Sequence, residues 1–296
     1  MGKNLQAYQD KKRRGEIFFS VGALLLIGAI IALVLSDGSV LETLGLLTLA
    51  VGSISLIFGG VIYTQAVNKF KTEFLKDYFS ETIQNGVYYP KKGLTPQDVY
   101  ECGFLKRADR FKSTDFLSGT IDGVDFRSSD AHLQEKQVRY VTRNGKRHRK
   151  VDYVTYFKGR IFSFDFHKKI DHPIQVLERF TPQDGQKYKK VELESIDFNK
   201  KFNTYSTDSH TVFYVLTPHF MESLMKIEKN HPGRLGFSFM GPKMHFAIND
   251  GKGLFYIAPF KKIDESLIKG FKGDVDKIYD IVDDLKLNNN VFKEEM

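Results

Sequence analysis

The amino-acid sequence predicts an α+β protein in which an N-terminal two-helix transmembrane hairpin and a stalk helix precede a cytoplasmic, mainly antiparallel sheet domain with several helices. Three observations predict this class. Two long uncharged runs lie before residue 64, short β-branched and aromatic segments with turn pairs fill the middle, and amphipathic helical patterns stand among them. The helices do not alternate regularly with the strands, so no parallel nucleotide-binding sheet is expected.

Composition supports a folded chain in a reducing compartment. With 296 residues, of which 42% are hydrophobic and 14% aromatic, the chain is long enough for real cores and is not a disordered protein. Its single cysteine, Cys102, excludes an internal disulfide and a CxxC type of metal site. The net charge of +8 is moderate, so its distribution along the chain matters more than its size.

The two uncharged runs predict a helical hairpin across a membrane. Residues 17–35 and 43–63 each match the hydrocarbon thickness of about 30 Å, and a short external loop, residues 36–42, joins them. A cleavable signal peptide is disfavoured because there is no good small-x-small cleavage site and a second span follows at once. A buried soluble hairpin is disfavoured because two uncharged runs of this length are unusual in a core.

Flanking charges predict the orientation of the hairpin. The basic residues 1–16 precede the first span and Lys69, Lys71 and Lys76 follow the second, whereas the loop carries only Asp37 and Glu42. The positive-inside rule therefore predicts a multi-pass protein of the cell membrane with both termini in the cytoplasm. Small residues four apart are expected either to let the two backbones approach closely or to serve contact with another membrane protein. They are Gly28 and Ala32 in the first span, and Ser55 and Gly59 in the second.

An amphipathic stalk helix is predicted over residues 64–84, followed by the cytoplasmic α+β domain over residues 85–296. The segment YYPKKGLTPQ reads as a loop, and Thr95 with Pro96 predicts a short helix to about Cys102. Turns at Asp122–Gly123 and near Asn144–Gly145 predict two antiparallel hairpins.

Further elements complete the predicted domain. Four more short strands are predicted from apolar and aromatic residues bounded by glycine or proline. They are IQVLERF, GRLGFSFM, KMHFAIN and GLFYIAP. A helix is predicted to begin at Thr217 and Pro218, and a last helix covers residues 274–287 with its apolar side chains inward.

Common signatures of catalysis are absent from the sequence. It contains no GxxxxGK[ST] phosphate loop, HExxH helix or GxSxG elbow, and NDGKGLF resembles a hairpin turn more than a phosphate cradle. His167 and His172 lack a third ligand at metal-site spacing. We therefore predict no cofactor, metal or catalytic residue, and an enzymatic activity is less favoured than a binding role.

The run RNGKRHRK, at the predicted tip of the second hairpin, is the most basic stretch of the chain. Such a run is most often a solvated loop. Beneath an anionic leaflet it can also contact lipid, since each basic residue contributes on the order of 1 kcal/mol of attraction. Nucleic acid is disfavoured because no stacking aromatic residues interrupt the charges. The residues predicted for anionic-lipid contact are Lys146, Arg147, Arg149 and Lys150.

The stretch ELESIDFNKKFNTYSTDSHTVFYVLTPHFMESL allows two interpretations. In the structural one, Phe198 and Phe202 are core anchors, Asn199 and Asp208 form turns or caps, and Thr217 starts a helix. The rival is a membrane-associated enzyme that uses acidic and histidine residues in the 194–222 region. The side chains that this rival requires to converge are Asp197, Asp208, His210 and Glu222.

The same stretch resembles the central signature of the bacterial membrane proteins grouped as domain-of-unknown-function family 3137. An FNxxF segment, a Tyr-Ser-x-Asp turn and an L-T-P-x-F-M-E helix start carry the resemblance, and GFLKRADRFKSTDFLSGTIDGVDFRSSD and YFKGRIFSFDF also resemble family segments. One departure lies in GTIDGVDFRSSDAHLQ, where the family more often has a glutamate after the serine. The signature residues, interpreted as structural, are Phe198, Asn199, Phe202, Tyr205, Asp208, Thr217, Pro218, Met221 and Glu222.

What the resemblance implies is a membrane protein without an agreed reaction, often encoded near LemA-type membrane proteins. We therefore expect a membrane-anchored binding or scaffold module. Its expected partners are the lipid bilayer and either another membrane protein, LemA-type included, or a second copy of the chain. A transporter or channel is less favoured, because two spans without an intramembrane charge enclose no path unless they oligomerise.

Overall fold

The chain divides into two compact units. The helical unit comprises Met1–Asp77 and Ile257–Gly273, and the sheet unit comprises Tyr78–Tyr256 and Asp274–Met296. The computed structural model describes residues 2–35, 38, 40–143, 146–231, 233–253 and 255–287.

Two long helices dominate the helical unit. Helix α1 spans Gly2–Leu35 and α2 spans Val40–Phe70, after which a π-helical turn, Lys71–Leu75, leads into α3, Lys76–Thr82. Both long helices are apolar and long enough to cross a membrane, and only 11% and 17% of their most apolar windows are buried. Leaving such surface in water is unfavourable by about 25 cal/mol per Å², so these two helices suggest association with a membrane.

Small residues spaced seven apart allow α1 and α2 to approach closely. On α2 the buried positions are Gly45, Gly52 and Gly59, followed by Ala66. A Cβ atom at Gly22 would lie 2.7 Å from the backbone nitrogen of Leu56, so the close approach requires glycine there. The predicted four-residue spacing is wrong for Gly28, which is exposed and has no atom within 4 Å of a Cβ position. The seven-residue repeat keeps the small residues on one seam, because it is close to two helical turns.

A buried ion pair holds the segment after Ile257 against the helices. Lys12 is fully buried, pairs with Glu16 and donates to the carbonyl oxygen of Lys261 at 2.7 Å. Glu16 also accepts the backbone N–H of Phe260 at 2.6 Å. Tyr63 donates its hydroxyl to the carbonyl of Ile257 at 2.6 Å. These contacts form a clamp within the helical unit.

The sheet unit is built on an antiparallel sheet with strand order β1-β2-β3-β4-β6-β5, and β7 also pairs with β4. The tight turn between β2 and β3 uses Asp122 and Gly123, both at positive φ, as predicted. The strands are β1 Gln84–Tyr89, β2 Arg110–Ile121, β3 Val124–Arg143, β4 Lys146–Leu177, β5 Lys189–Val191, β6 Asn203–Ser206 and β7 Arg234–Asn249.

Side chains cap the N-termini of several helices that follow α3. Thr95 forms a capping box with Asp98 at the start of α4, and Thr217 accepts the backbone N–H of Phe220 at the start of α7. The helices after α3 are α4 Pro96–Tyr100, α5 Ile196–Lys201, α6 Ser209–Val215, α7 Pro218–Asn230 and α8 Glu265–Asp284.

Apolar packing lies on both faces of the sheet. One core joins α4 and the loop after it to buried sheet residues that include Leu133, Phe157 and Ile161. Another stacks aromatic rings, with Phe237 and Phe246 of β7 at a centroid distance of 4.5 Å and Phe162 of β4 at 5.7 Å from Phe246. Period-two alternation on β3, β4 and β7 separates these two cores.

Several predicted elements differ from the structure. YYPKKGLTPQ was predicted to be a loop throughout, but Tyr88 and Tyr89 belong to β1. GRLGFSFM and KMHFAIN form one strand, β7, because Gly241 at φ 56° lets the chain pass Pro242 without ending. The last helix begins at Glu265 rather than at Asp274. Its first turn is stabilised by the Asp264 side chain, which accepts from the backbone N–H of Leu267 at 3.1 Å.

The prediction that GLFYIAP forms a strand is wrong. Those of its residues that the structure describes form a turn and irregular backbone. The reason is local. Pro259 has no N–H for a ladder, Phe260 adopts a left-handed φ of 62°, and the neighbouring polar groups bond to Tyr63 and Glu16 instead of to a strand.

Candidate functional site

The outer parts of β3 and β4 form a two-stranded arm that projects from the sheet. Strand β2 pairs with β3 only as far as Gln134, and β7 pairs with β4 only from Arg160. Beyond those points β3 and β4 continue to pair with each other, from Glu135 opposite Val154 to Arg143 opposite Lys146. We call residues 135–143 and 146–155 the arm. Its turn, predicted at Asn144–Gly145, lies outside the described residues.

Alternation sorts the side chains of the arm onto two faces. Directly opposed residues share a face, so Tyr140 lies with Arg149 and Thr142 lies with Arg147. Three of the apolar side chains on this face are well exposed, Val138 at 41%, Tyr140 at 58% and Val151 at 38%. We call it the basic face, and its members are Lys136, Val138, Tyr140, Thr142, Arg147, Arg149, Val151 and Tyr153.

Aromatic rings fix guanidinium groups on the basic face. Arg147 lies over the ring of Tyr140 at 4.3 Å, and Arg110 of strand β2 lies over the ring of Tyr153 at 3.4 Å. Such contacts hold a cation in place without neutralising it. No acidic residue belongs to this face, so its three cationic side chains keep their charge available.

The opposite face of the arm is closer to neutral. Arg139 and Lys150 both lie near Asp152, with Lys150 Nζ at 3.7 Å from a carboxylate oxygen. The hydrogen bond from Arg139 lowers the pKa of the Asp152 carboxyl below its ordinary value. Arg139 and Lys150 are therefore partly neutralised by one ionised acid.

The four basic residues predicted for lipid contact do not form one cluster. Arg147 and Arg149 share the basic face, whereas Lys150 points to the opposite face, and the side chain of Lys146 lies outside the described residues. The sequence interpretation missed Lys136, Tyr140 and Tyr153. These residues lie outside the basic run 143–150, on both sides of it in the sequence. Pairing of the strands would have identified them.

A second site is a cleft of about 280 Å³ beside a buried arginine in the sheet unit. Arg160 lines it, although its side chain is only 3% exposed, and forms an ion pair of 2.8 Å with Asp130. Arg160 also donates to the backbone oxygen of Asp115 at 3.2 Å and to the hydroxyl of Ser128 at 3.3 Å. The other polar residues of the cleft are His231, Asp250, Lys252, Tyr256, Asp274 and Lys277.

The buried groups beside this cleft are matched with one another. Tyr88 donates its hydroxyl to the carboxylate of Asp115, and burial raises the pKa of that hydroxyl. Burial lowers the pKa of His231, whose Nδ1 donates to the carbonyl of Ile227 at 2.9 Å. Matched acids and bases of this kind stabilise a core, and none of them is placed as a free nucleophile.

The residues that an enzyme was expected to use are dispersed. Asp197 is 83% exposed and pairs with Lys200, while the carboxylate of Asp208 accepts from the backbone N–H of Thr211 and so caps α6. That bond lowers the pKa of Asp208. His210 and Glu222 are exposed, and none of the four residues lines the cleft beside Arg160.

The signature residues lie at packing and capping positions. The rings of Phe198 and Phe202 are each 1% exposed and meet at 5.1 Å. The amide side chain of Asn199 bonds to both backbone groups of Leu193. Met221 is buried on α7, and Tyr205 packs against the core beneath α4. Within the described part of the chain, no group of three potential ligands is arranged to hold a metal ion.

Comparison with known proteins gives a family and one distant structure. No curated protein matches the sequence. A solved structure titled crystal structure of the mycobacterial trehalose monomycolate transport factor A, TtfA, shares 7% identity, covers 71% of this chain and 93% of that chain, and has a TM-score of 0.37. At that TM-score the likeness supports no inference about this chain.

The sequence model of one family matches residues 155–287, a range that contains the whole predicted signature. The resemblance to family 3137 is thus confirmed. Residues 155–287 of this chain are therefore similar to the family described as Protein of unknown function (DUF3137).

Proposed function

We propose that the chain is a membrane-anchored binding module in which the two apolar helices insert into the bilayer and the arm binds an anionic lipid surface. One observation carries the proposal. The basic face joins three cations to exposed valine and tyrosine side chains and contains no acid. Cations attract a negatively charged leaflet, and the apolar and aromatic groups favour its interfacial region.

The anchor makes a weak contact effective. The three cations of the basic face would by themselves gain only about 3 kcal/mol at an anionic surface. Insertion of α1 and α2 keeps the arm at a high effective concentration near the membrane, so even this attraction is sufficient for binding. A membrane-protein partner, a LemA-type protein or a second copy included, is the rival occupant of the same face.

Tryptophan fluorescence offers a direct test, because the natural chain contains no tryptophan. The full-length protein with Val138→Trp carries a sensor on the basic face, and Val141→Trp carries a matched sensor on the opposite face. In vesicles with brominated anionic lipid, we expect stronger quenching of the tryptophan at position 138 than of that at 141. We expect little quenching of either one in purely zwitterionic vesicles.

Charge variants separate a specific face from general attraction. Arg147→Gln with Arg149→Gln should reduce the quenching at position 138 about tenfold or more, while Arg139→Gln with Lys150→Gln removes the same charge from the other face and should have a small effect. Equal effects of the two pairs, or no quenching at 138 in inserted protein, would overturn the lipid assignment. In the second case, crosslinking in native membranes would test for the protein partner.

A further inference from the structure

A groove in the helical unit changes from polar to apolar along helix α1. It encloses about 650 Å³, and its lining runs from Gln9 and Arg13 at one end to Val21 and Leu24 at the other. These positions extend over about 20 Å of helix at 1.5 Å per residue. A lipid headgroup followed by the upper part of an acyl chain has the same succession of polarity over a similar length.

The apolar end of the groove is open to its surroundings. Ile17, Val21 and Leu24 are 54%, 45% and 69% exposed, although they belong to one of the most hydrophobic segments of the chain. They point away from the glycine seam that joins α1 to α2. An acyl chain along them would bury this surface.

The polar end of the groove has a net positive charge. Arg13 and Lys262 line it together with Asp10, which gives +1 from two cations and one acid. Glu16 lines it too, but its carboxylate is paired with the fully buried Lys12 and also accepts the N–H of Phe260. That pairing removes Glu16 as a repulsive charge, so the polar end suits a single phosphate.

The rim of the groove holds an aromatic ring in a strained position. Phe260 lines the groove, is 64% exposed and has a φ of 62°, a conformation that is uncommon for a bulky residue. The bond from its amide to Glu16 maintains this backbone. Strain that the surroundings hold in place often marks a functional position, and an exposed ring beside basic side chains is typical of a membrane interface.

We propose that this groove binds one anionic phospholipid, with its phosphate between Arg13 and Lys262 and an acyl chain along Ile17, Val21 and Leu24. The inference rests on the proposed insertion of α1 and α2 into the bilayer. It is separate from the arm, because every residue of the groove belongs to the helical unit.

Native mass spectrometry of the full-length protein, released from nanodiscs with phosphatidylglycerol or phosphatidylcholine, tests the proposal. We expect one retained phosphatidylglycerol and about tenfold weaker retention in Arg13→Gln with Lys262→Gln. Lys11→Gln with Arg14→Gln is the matched control, since both residues are exposed and lie outside the groove. Equal losses in the two pairs, or equal retention of both lipids by the natural protein, would overturn the site.

A third variant tests the rim without altering its backbone. Phe260→Gly removes the ring, and glycine adopts the observed φ without strain, so the clamp should persist. We expect at least threefold weaker retention of phosphatidylglycerol, with the helical content unchanged by circular dichroism. Unchanged retention would remove Phe260 from the site.

Carbonate extraction distinguishes the two proposals. If the protein stays in the membrane pellet but retains no anionic lipid, the lipid site in the groove is contradicted and the proposed function is not. Release of the natural protein into the supernatant contradicts insertion, and with it both proposals.

Discussion

His245 is a titratable side chain enclosed in the core of the sheet unit. It is 1% exposed, neither ring nitrogen has a hydrogen-bond partner among the described residues, and Nε2 lies 4.0 Å from a carboxylate oxygen of Glu101. Burial lowers its pKa to about 4. Glu101 and Asp98 oppose that shift, whereas Lys243 and Arg127 add to it. The folded protein therefore favours the neutral form of the His245 ring.

This burial makes stability depend on pH in a definite window. Between the unfolded pKa of about 6.5 and the folded pKa of about 4, the unfolded chain binds the extra proton. The contribution of His245 is thus fully present above pH 6.5 and decreases as the pH falls towards 4, by up to about 1.4 kcal/mol per unit. His245→Leu should unfold with a shallower pH dependence in urea titrations of the full-length protein, whereas His210→Gln, a change at an exposed histidine, should keep the natural slope.

At the scale of elements, glycine determines how the two long helices meet. The contacts at Gly22 and Gly52 are mutual, since a Cβ on either one would approach the other's carbonyl oxygen within 3.2 Å. Helices in a bilayer associate through such close packing because lipid removes the hydrophobic drive between them. The seam is therefore a principal source of stability for the hairpin.

Two alanine substitutions on the same helix should have different effects. Gly22→Ala places a methyl group 2.7 Å from a backbone nitrogen, so we expect a loss of about 1–3 kcal/mol. Gly28→Ala meets no atom within 4 Å and should be neutral or slightly stabilising, because alanine favours helix. Thermal unfolding in detergent, followed by circular dichroism, compares the two. A similar decrease in both would show that the seam does not govern stability.

Periodicity and turn chemistry predicted the elements whose causes are local. The caps at Thr95 and Thr217, the Asp122–Gly123 turn and the inward face of the last helix depend on neighbours in sequence. The basic face and the groove depend on pairing between distant segments, as with Lys136 opposite Tyr153. Lys12 best illustrates which contacts sequence alone does not predict. Sequence assigned it to the positive flank of a span, but its partner Lys261 comes from the other end of the chain.

For the whole molecule, the proposed topology makes a simple prediction. Both termini are proposed to be cytoplasmic, with the loop 36–42 outside. Cys102 is fully buried, so it should contribute little background to thiol labelling. A membrane-impermeant maleimide should label Asp37→Cys in intact cells, and should label Lys11→Cys only after the cells are opened. The reverse pattern would invert the orientation, and labelling of both in intact cells would contradict the hairpin.

The clamp between Glu16 and Phe260 has a consequence for biosynthesis. The ribosome delivers α1 and α2 first, yet the segment that accepts the Lys12 ammonium and satisfies the Glu16 carboxylate is made more than two hundred residues later. Until then, Lys12 has only the Glu16 carboxylate, the nearby ring of Tyr63 and water. The helical unit is therefore completed only after residues 78–256 of the sheet unit have been made, and a chain that stops before residue 257 would leave its earliest helices unfinished.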